Sequence, residues 1–140
     1  MFEAGLRVNA DVYLDVLRNT VKPWMDKVAG DRPYIWQQDG ALAHTTKKVQ
    51  EWCENSFPYF WAKDVWPSSS PDLNPLDFFV WGVAESDTNR SPHNTKQSLI
   101  NSIMEVFANF NREAVVSACS RVRPRLEEVV AANGNFIRLI

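Results

Sequence analysis

Residues 66–82 read WPSSSPDLNPLDFFVWG, and this stretch decides how the rest of the chain is interpreted. Its first ten residues hold three prolines and three serines, a composition that excludes regular secondary structure and predicts a functional loop or a linker. Asn74, Pro75 and Asp77 then mark a helix start, because asparagine caps helices, proline suits the first helical position and an acid suits the first turn. The stretch therefore predicts a loop that leads Asp77 into a helix.

Upstream of this loop, helices alternate with strands. Apolar residues recur at intervals of three and four after Asn9, which predicts an amphipathic helix with Asn9 as its cap, and we expect Pro23 to interrupt it. The predicted elements are a helix at 9–21, a buried strand at 34–38, a helix at 45–55 and a short strand at 57–61. The aromatic and β-branched run of the first strand ends at Asp39-Gly40, a turn sequence.

Downstream of the loop, the pattern is helical. Residues 86–94 are polar and rich in turn formers, and apolar stripes then predict a helix near 99–110 and another near 114–130, with Pro124 as a kink or break. The order of elements is that of an α/β fold with a helical C-terminal third. Since a sheet of two strands is only marginally stable by itself, we expect either further strands from the first eight residues or a sheet that lacks part of its strands.

Composition and charge narrow the function classes. The chain has 140 residues, 45% apolar and 23% charged, which fits one globular domain. Its formal charge of −2 argues against a dedicated nucleic-acid module with its own positive field. The apolar stretches are too short to span a bilayer and the start does not read as a secretory signal, so we expect an intracellular protein. Cys53 and Cys119 lack metal or redox spacing and are expected to be buried.

Asp39 and Asp77 are the acids at positions suited to chemistry. Asp39 follows a predicted strand, and ligands of open α/β sheets bind beyond the carboxyl ends of strands. If the two carboxylates meet in space, they suit Mg²⁺ or Mn²⁺ in a site that cuts or joins phosphodiesters, where a third carboxylate is expected. Each acid also has a purely structural interpretation, as a turn residue or as an acid in a first helical turn.

Two stretches carry a resemblance to a known family: QQDGALAH at residues 37–44 and the opening stretch at residues 66–82. The chain resembles the C-terminal half of the catalytic domain of Tc/mariner superfamily transposases, whose active-site pattern includes Ser-Pro-Asp-Leu-Asn-Pro before its last acid. By this resemblance the last two acids of the catalytic triad fall on Asp39 and Asp77. A weaker match over residues 2–24 extends the resemblance to most of the chain.

The resemblance implies an RNase H-like (retroviral-integrase-like) fold, a divalent metal (Mg²⁺ or Mn²⁺) held by Asp39 and Asp77, and metal-dependent cleavage and transfer of DNA strands in the nucleus. The expected partners are double-stranded DNA and a second copy or partner transposase chain, with no membrane. Residues 1–140 are interpreted as one partial catalytic domain, an α/β part at 1–88 and C-terminal helices at 89–140. The family's first acid and DNA-reading domains lie upstream of the matched segment. We therefore expect a fold incomplete at its N-terminal side and no strand cleavage by this chain alone.

Several basic side chains are candidate DNA contacts. His44 matches a recurrent family histidine that either orients the site or touches DNA, and a capping or surface role is the alternative. Lys47 and Lys48 are candidate phosphate contacts, as is the cluster of Arg121, Arg123 and Arg125, although such residues are commonly only solvated. The alternative function is a catalytically inactive remnant that acts only as a DNA- or protein-binding module.

Overall fold

The computed structural model describes residues 7–67 and 69–135. The chain divides into two compact units, Met1–Ser69 and Ser70–Ile140. The boundary expected between an α/β part and C-terminal helices, at residue 88, falls inside the second unit, and that domain division stays a prediction.

The first unit carries the α/β pattern. Its described elements are α1 (Ala10–Val16), a π-helical turn (Leu17–Val21), α2 (Lys22–Ala29), β1 (Ile35–Trp36), α3 (Lys47–Ser56) and β2 (Tyr59–Phe60). As predicted, Asn9 caps the first helix: its Oδ1 accepts hydrogen bonds of 3.0 Å from the backbone N–H groups of Asp11 and Val12. The cap satisfies donors that a helix start otherwise leaves without partners.

Pro23 does not interrupt the first helix, so that expectation is wrong. The chain stays helical from Ala10 to Ala29, with Leu17–Val21 in the π form and Pro23 in the first turn of α2. The N–H of Lys22 bonds to the carbonyl of Leu17, five residues back. This wider turn changes the hydrogen-bond register just ahead of Pro23, which has no N–H to contribute.

The two strands pair in parallel. Ile35 lies opposite Tyr59 and Trp36 opposite Phe60, and the N–H of Trp61 donates to the carbonyl of Trp36 at 3.0 Å. The described residues hold the two strands predicted at 34–38 and 57–61, whereas the alternative of further strands from the first eight residues falls mainly on residues 1–6, outside the described residues. The expectation of a buried first strand is wrong, because Ile35 is 51% exposed. Within the described residues β1 has a strand on one side only, so little packs over Ile35.

A core of aliphatic and aromatic side chains fixes β1 against α3. Its buried members are Leu14, Leu17, Val49, Cys53 and Phe57. The ring of Phe57 stacks on Trp36 at 4.6 Å between centroids and meets Trp52 edge-on at 5.7 Å. Val49 and Cys53 are the buried residues of α3. Because Trp36 ends β1, this packing determines where the chain leaves the strand toward Asp39.

The second unit is helical. Its described elements are a 3₁₀ turn (Pro71–Leu73), a π-helical segment (Leu76–Val80), α4 (Trp81–Thr88), α5 (Lys96–Ala108), α6 (Arg112–Ser120) and α7 (Val122–Ala131). The predicted helix start is confirmed: Asn74 Oδ1 accepts from the N–H of Leu76 at 3.1 Å, and the Asn74 carbonyl accepts from the N–H of Asp77 at 2.9 Å. Leu73, Ala84, Thr88 and Ala118 are buried.

Two predicted boundaries in this unit are wrong. Helix α4 continues to Thr88, so the polar connection begins after the expected residue 86. The break between the last helices lies at Arg121 and not at Pro124, which sits in the first turn of α7. Proline is tolerated there because the N–H groups of a first turn have no intrahelical acceptor. In residues 7–67 and 69–135 we find no helix that combines the length and the apolar character needed to span a membrane.

Candidate active site

Asp39 lies three residues beyond β1, at the carboxyl end of the parallel strands. Its Oδ1 accepts a 3.0 Å hydrogen bond from the N–H of Ala41 and lies 2.5 Å from Nδ1 of His44. Since an ionised carboxylate only accepts, the imidazole is the donor in this contact. No hydrogen bond reaches Asp39 Oδ2 from any described residue, and the side chain is 48% exposed. One oxygen is therefore held in place and the other is available to a ligand.

His44 is itself held from two directions. Its ring lies 4.3 Å from the ring of Tyr13, and its carbonyl accepts a 2.9 Å hydrogen bond from Nε2 of Gln50. Gln50 in turn accepts from the backbone N–H of Lys63 at 2.9 Å. Of the roles considered for His44, these contacts favour orientation of Asp39, because the nitrogen that faces the carboxylate and the ring that packs on Tyr13 are both engaged.

Below Asp39, neutral polar groups connect the site to the core. Gln38 donates from Nε2 to the hydroxyl of Tyr13 and accepts from the Cys53 thiol at 3.8 Å. Burial raises the pKa of Tyr13 to about 12 and that of Cys53 to about 12, so both groups stay protonated at neutral pH. The prediction that Cys53 is buried is confirmed. The same prediction for Cys119 is wrong, because it is exposed on α6 beside Ala118, which takes the inward position.

Asp77 lies in the second unit, in the first turn of the π-helical segment. It is exposed, and its carboxylate makes no hydrogen bond or ion pair with the residues that the structure describes. Hydrogen bonds from the N–H groups of Leu76 and Asp77 to Asn74 hold the backbone at this helix start. Asp77 therefore presents two carboxylate oxygens, which have no partner within the described residues, from an anchored helix start.

Two arginines contact the residue that follows Asp77. The guanidinium carbon of Arg125 lies 4.0 Å from the ring centroid of Phe78, and that of Arg121 lies 5.9 Å from it. Arg125 Nη1 also donates to the carbonyl of Asp72 at 2.7 Å. Sequence reasoning treated Arg125 only as a candidate phosphate contact, and no local signal could identify these contacts, because Asp72 lies 53 positions away.

The two predicted DNA-contacting lysines differ in their surroundings. Lys47 is 88% exposed at the start of α3 and lies 3.6 Å from Glu51, an exposed pair of small energetic value. Lys48 forms an ion pair with Asp11 of α1. Lys47 is consequently free to exchange its partner for a phosphate, whereas Lys48 must first leave Asp11.

The oxygen donors of this chain suit a hard divalent cation. Asp39 Oδ2 and the Asp77 carboxylate are the ligand type that Mg²⁺ and Mn²⁺ prefer. In residues 7–67 and 69–135 no group of three or more His, Cys, Asp or Glu side chains could hold a metal ion. Each carboxylate by itself leaves most coordination positions of such an ion to water, substrate or other ligands.

Comparison with known proteins finds relatives in sequence and in fold. No protein-family model matches the chain. The Tcb2 transposase of Caenorhabditis briggsae is 28% identical over 127 residues, which are 88% of this chain and 43% of that protein. The Mos1 transposase paired-end complex with left transposon end has a TM-score of 0.84 at 22% identity, covering 98% of this chain and 40% of that chain. The chain is similar in sequence to Tc/mariner transposases.

A structure of the Mos1 transposase catalytic domain with raltegravir and Mn extends the fold comparison. Its TM-score is 0.83 at 22% identity, over 96% of this chain and 68% of that chain. The predicted RNase H-like fold is confirmed, and the chain is similar in fold to a part of the Mos1 catalytic domain. It spans less than half the length of the Tcb2 transposase. The Tc/mariner resemblance drawn from residues 37–44 and 66–82 is thereby confirmed.

Proposed function

We propose that Asp39 and Asp77 are two of the metal-binding carboxylates of a Tc/mariner transposase active site that acts on double-stranded DNA in the nucleus. The observation that carries the proposal is the state of Asp39. Its Oδ1 is fixed by His44 and the Ala41 N–H, and its Oδ2 carries no hydrogen bond within the described residues. A carboxylate oriented by a neighbouring imidazole, with one oxygen left open, is typical of a metal ligand with an outer-shell partner.

The proposed metal is Mg²⁺ or Mn²⁺, held by Asp39 and Asp77. When bound, such an ion stabilises the negative charge that develops on phosphodiester oxygens during strand cleavage and transfer. The Mn present with the Mos1 catalytic domain supports this choice of metal. In this proposal His44 keeps Asp39 in one orientation, and Asn74 keeps the backbone of Asp77 at the helix start.

The proposed substrate is duplex DNA, and Lys47 is the best placed of the predicted contacts to meet a phosphate. Its high exposure and weak pairing with Glu51 support this role, and Lys48 contributes where its ion pair with Asp11 opens. In the same proposal, His44 acts on Asp39 and does not contact DNA. The Mos1 complex with a transposon end supports a DNA partner, and a second transposase chain is proposed to complete the working assembly.

Titration calorimetry with Mn²⁺ tests the metal site. We expect weak binding by the unmodified chain, with the affinity lowered at least about tenfold by Asp39→Asn and by Asp77→Asn, because each removes an anionic oxygen ligand of the cation. Asp72→Asn is the matched control, since it changes an acid five residues from Asp77 and leaves its backbone contact to Arg125 in place. Equal weakening by the Asp72→Asn variant would contradict the assignment.

Binding of duplex DNA, followed by fluorescence anisotropy at several salt concentrations, tests the second part. Lys47→Gln should weaken binding and lower the slope of affinity against salt by about one counterion. Lys27→Gln, which removes an exposed charge of α2, is the control. Binding of DNA that survives while no Mn²⁺ binding is found would favour the non-catalytic binding module instead.

A further inference from the structure

Arg125 of α7 contacts the chain on both sides of Asp77. Its Nη1 donates to the carbonyl of Asp72, five residues before the acid, at 2.7 Å. Its guanidinium carbon Cζ lies over the ring of Phe78, directly after the acid, at 4.0 Å from the ring centroid. One side chain, that of Arg125, therefore contacts both ends of the segment from Asp72 to Phe78.

The chemistry of this contact is specific to arginine. A guanidinium can donate along its edge while its face stays against an aromatic ring, whereas the ammonium of lysine offers no plane to stack. Arg125 is half-buried and forms no ion pair with any carboxylate in the part of the chain that the structure describes. Both contacts of its guanidinium group, the hydrogen bond from Nη1 and the contact with the Phe78 ring, are thus made with the segment that carries Asp77.

Arg123, two positions earlier on the same helix, shows the contrast. Its side chain is 87% exposed and pairs with Glu127 at 2.9 Å, one turn along α7. Such an exposed ion pair contributes little to the free energy of unfolding, and it links only two residues of the same helix. The two arginines therefore share a helix and a charge but not a role.

We propose that Arg125 is a positioning residue for Asp77: it holds the segment from Asp72 to Phe78 so that the Asp77 carboxylate keeps one location. The proposal rests on the function proposed for Asp77. In it Arg125 touches neither metal nor DNA. Its effect reaches the acid through the Asp72 carbonyl and the Phe78 ring, while the buried side chain of Leu73 anchors the same segment from within.

The test compares Arg125→Lys with Arg123→Lys in the full chain. Two quantities are measured: amide hydrogen exchange in residues 73–78, and the dissociation constant for Mn²⁺. For Arg125→Lys we expect exchange in this segment to accelerate at least about tenfold, because a charge-assisted hydrogen bond and a stacked face are both lost. The Mn²⁺ affinity should fall about tenfold with it. Arg123→Lys should change neither quantity.

Phe78→Leu is a second variant, for use if Arg125→Lys fails to fold. It keeps an apolar side chain and the Asp72 contact but removes the ring face, so we expect the same changes at a smaller size. Equal acceleration of exchange across α4 to α7 would show that Arg125 supports the whole unit, and the proposal would be overturned. Where Asp77→Asn does weaken Mn²⁺ binding, local loosening by Arg125→Lys with an unchanged Mn²⁺ affinity would also overturn it.

Failure of the proposed metal site gives a different result. In that case Asp77→Asn binds Mn²⁺ like the unmodified chain, whatever Arg125→Lys does. Local acceleration of exchange in residues 73–78 would then still support Arg125 as the group that holds Asp77 in place. If exchange in residues 73–78 did not accelerate either, Arg125 would not be the group that holds Asp77 in place.

Discussion

Replacement of Leu73 by alanine should destabilise the second unit more than any nearby leucine replacement. Leu73 ends the 3₁₀ turn ahead of Asp77 and its side chain is 1% exposed. Leu76 lies three residues further along, in the helix start, and is 49% exposed. The two leucines belong to the same short segment, so they form a matched pair that differs mainly in burial.

The expected magnitudes follow from this burial. A fully buried leucine contributes about 1.5–3 kcal/mol by transfer from water, and truncation to alanine in a core costs about 2.7–5 kcal/mol once the cavity is included. Leu73→Ala should therefore lower the free energy of unfolding by about 3 kcal/mol. For Leu76→Ala the transfer contribution is about halved and little cavity forms, so we expect about 1 kcal/mol or less. A unit of this size has roughly 3.5–10 kcal/mol in total, so both variants should still fold.

Hydrogen exchange read by peptide measures the two units separately. In Leu73→Ala, the slowest amides of the second unit should exchange about a hundredfold faster, which corresponds to about 3 kcal/mol, while peptides of residues 7–67 should keep their rates. Equal losses for Leu73→Ala and Leu76→Ala would refute the assignment of Leu73 as the anchor of this segment.

Further predictions concern the first unit and the two thiols. Phe57→Ala should cost about 3–5 kcal/mol in urea unfolding, because a buried ring with aromatic neighbours is lost, whereas the exposed Tyr59→Ala should change stability by less than about 1 kcal/mol. A thiol reagent should modify Cys119 at once and Cys53 only after unfolding; rapid double labelling would contradict the burial of Cys53. Burial raises the pKa of Cys53 from 9.0 and that of Tyr13 from 10.0 to about 12 each, so the folded chain keeps protons that the unfolded chain loses. The contribution of these two groups to the free energy of unfolding should therefore be constant below about pH 9 and fall between pH 9 and 12, and Cys53→Ala should remove the part that begins near pH 9.

The features that sequence reasoning identified correctly are local. Asn9 and Asn74 cap helices through atoms two or three residues away. The resemblance carried by residues 37–44 and 66–82 is likewise a matter of contiguous residues, and it supplied the fold and the candidate acids. These features can be predicted from the sequence because the interacting groups are neighbours along the chain.

The errors arose where a distant or structural neighbour decided the outcome. Pro23 is tolerated because a π turn precedes it, and Cys119 is exposed because Ala118 takes the inward position. Composition and spacing do not specify either arrangement. The first depends on the hydrogen-bond register of the helix ahead of Pro23, and the second on which face of α6 packs inward in the folded unit.

The sequence by itself determined the class of fold, the caps, the Asp39 turn and the helix start at Asp77. Only the tertiary structure decided the partners of the site residues: Lys48 with Asp11, 37 positions away, and Arg125 with Asp72, 53 positions away. It also decided that His44 faces Asp39 while its ring packs on Tyr13. The physical reason is that caps and turns are set by hydrogen bonds between chain neighbours, whereas the orientation of a carboxylate is set by whichever side chains the packed core brings beside it.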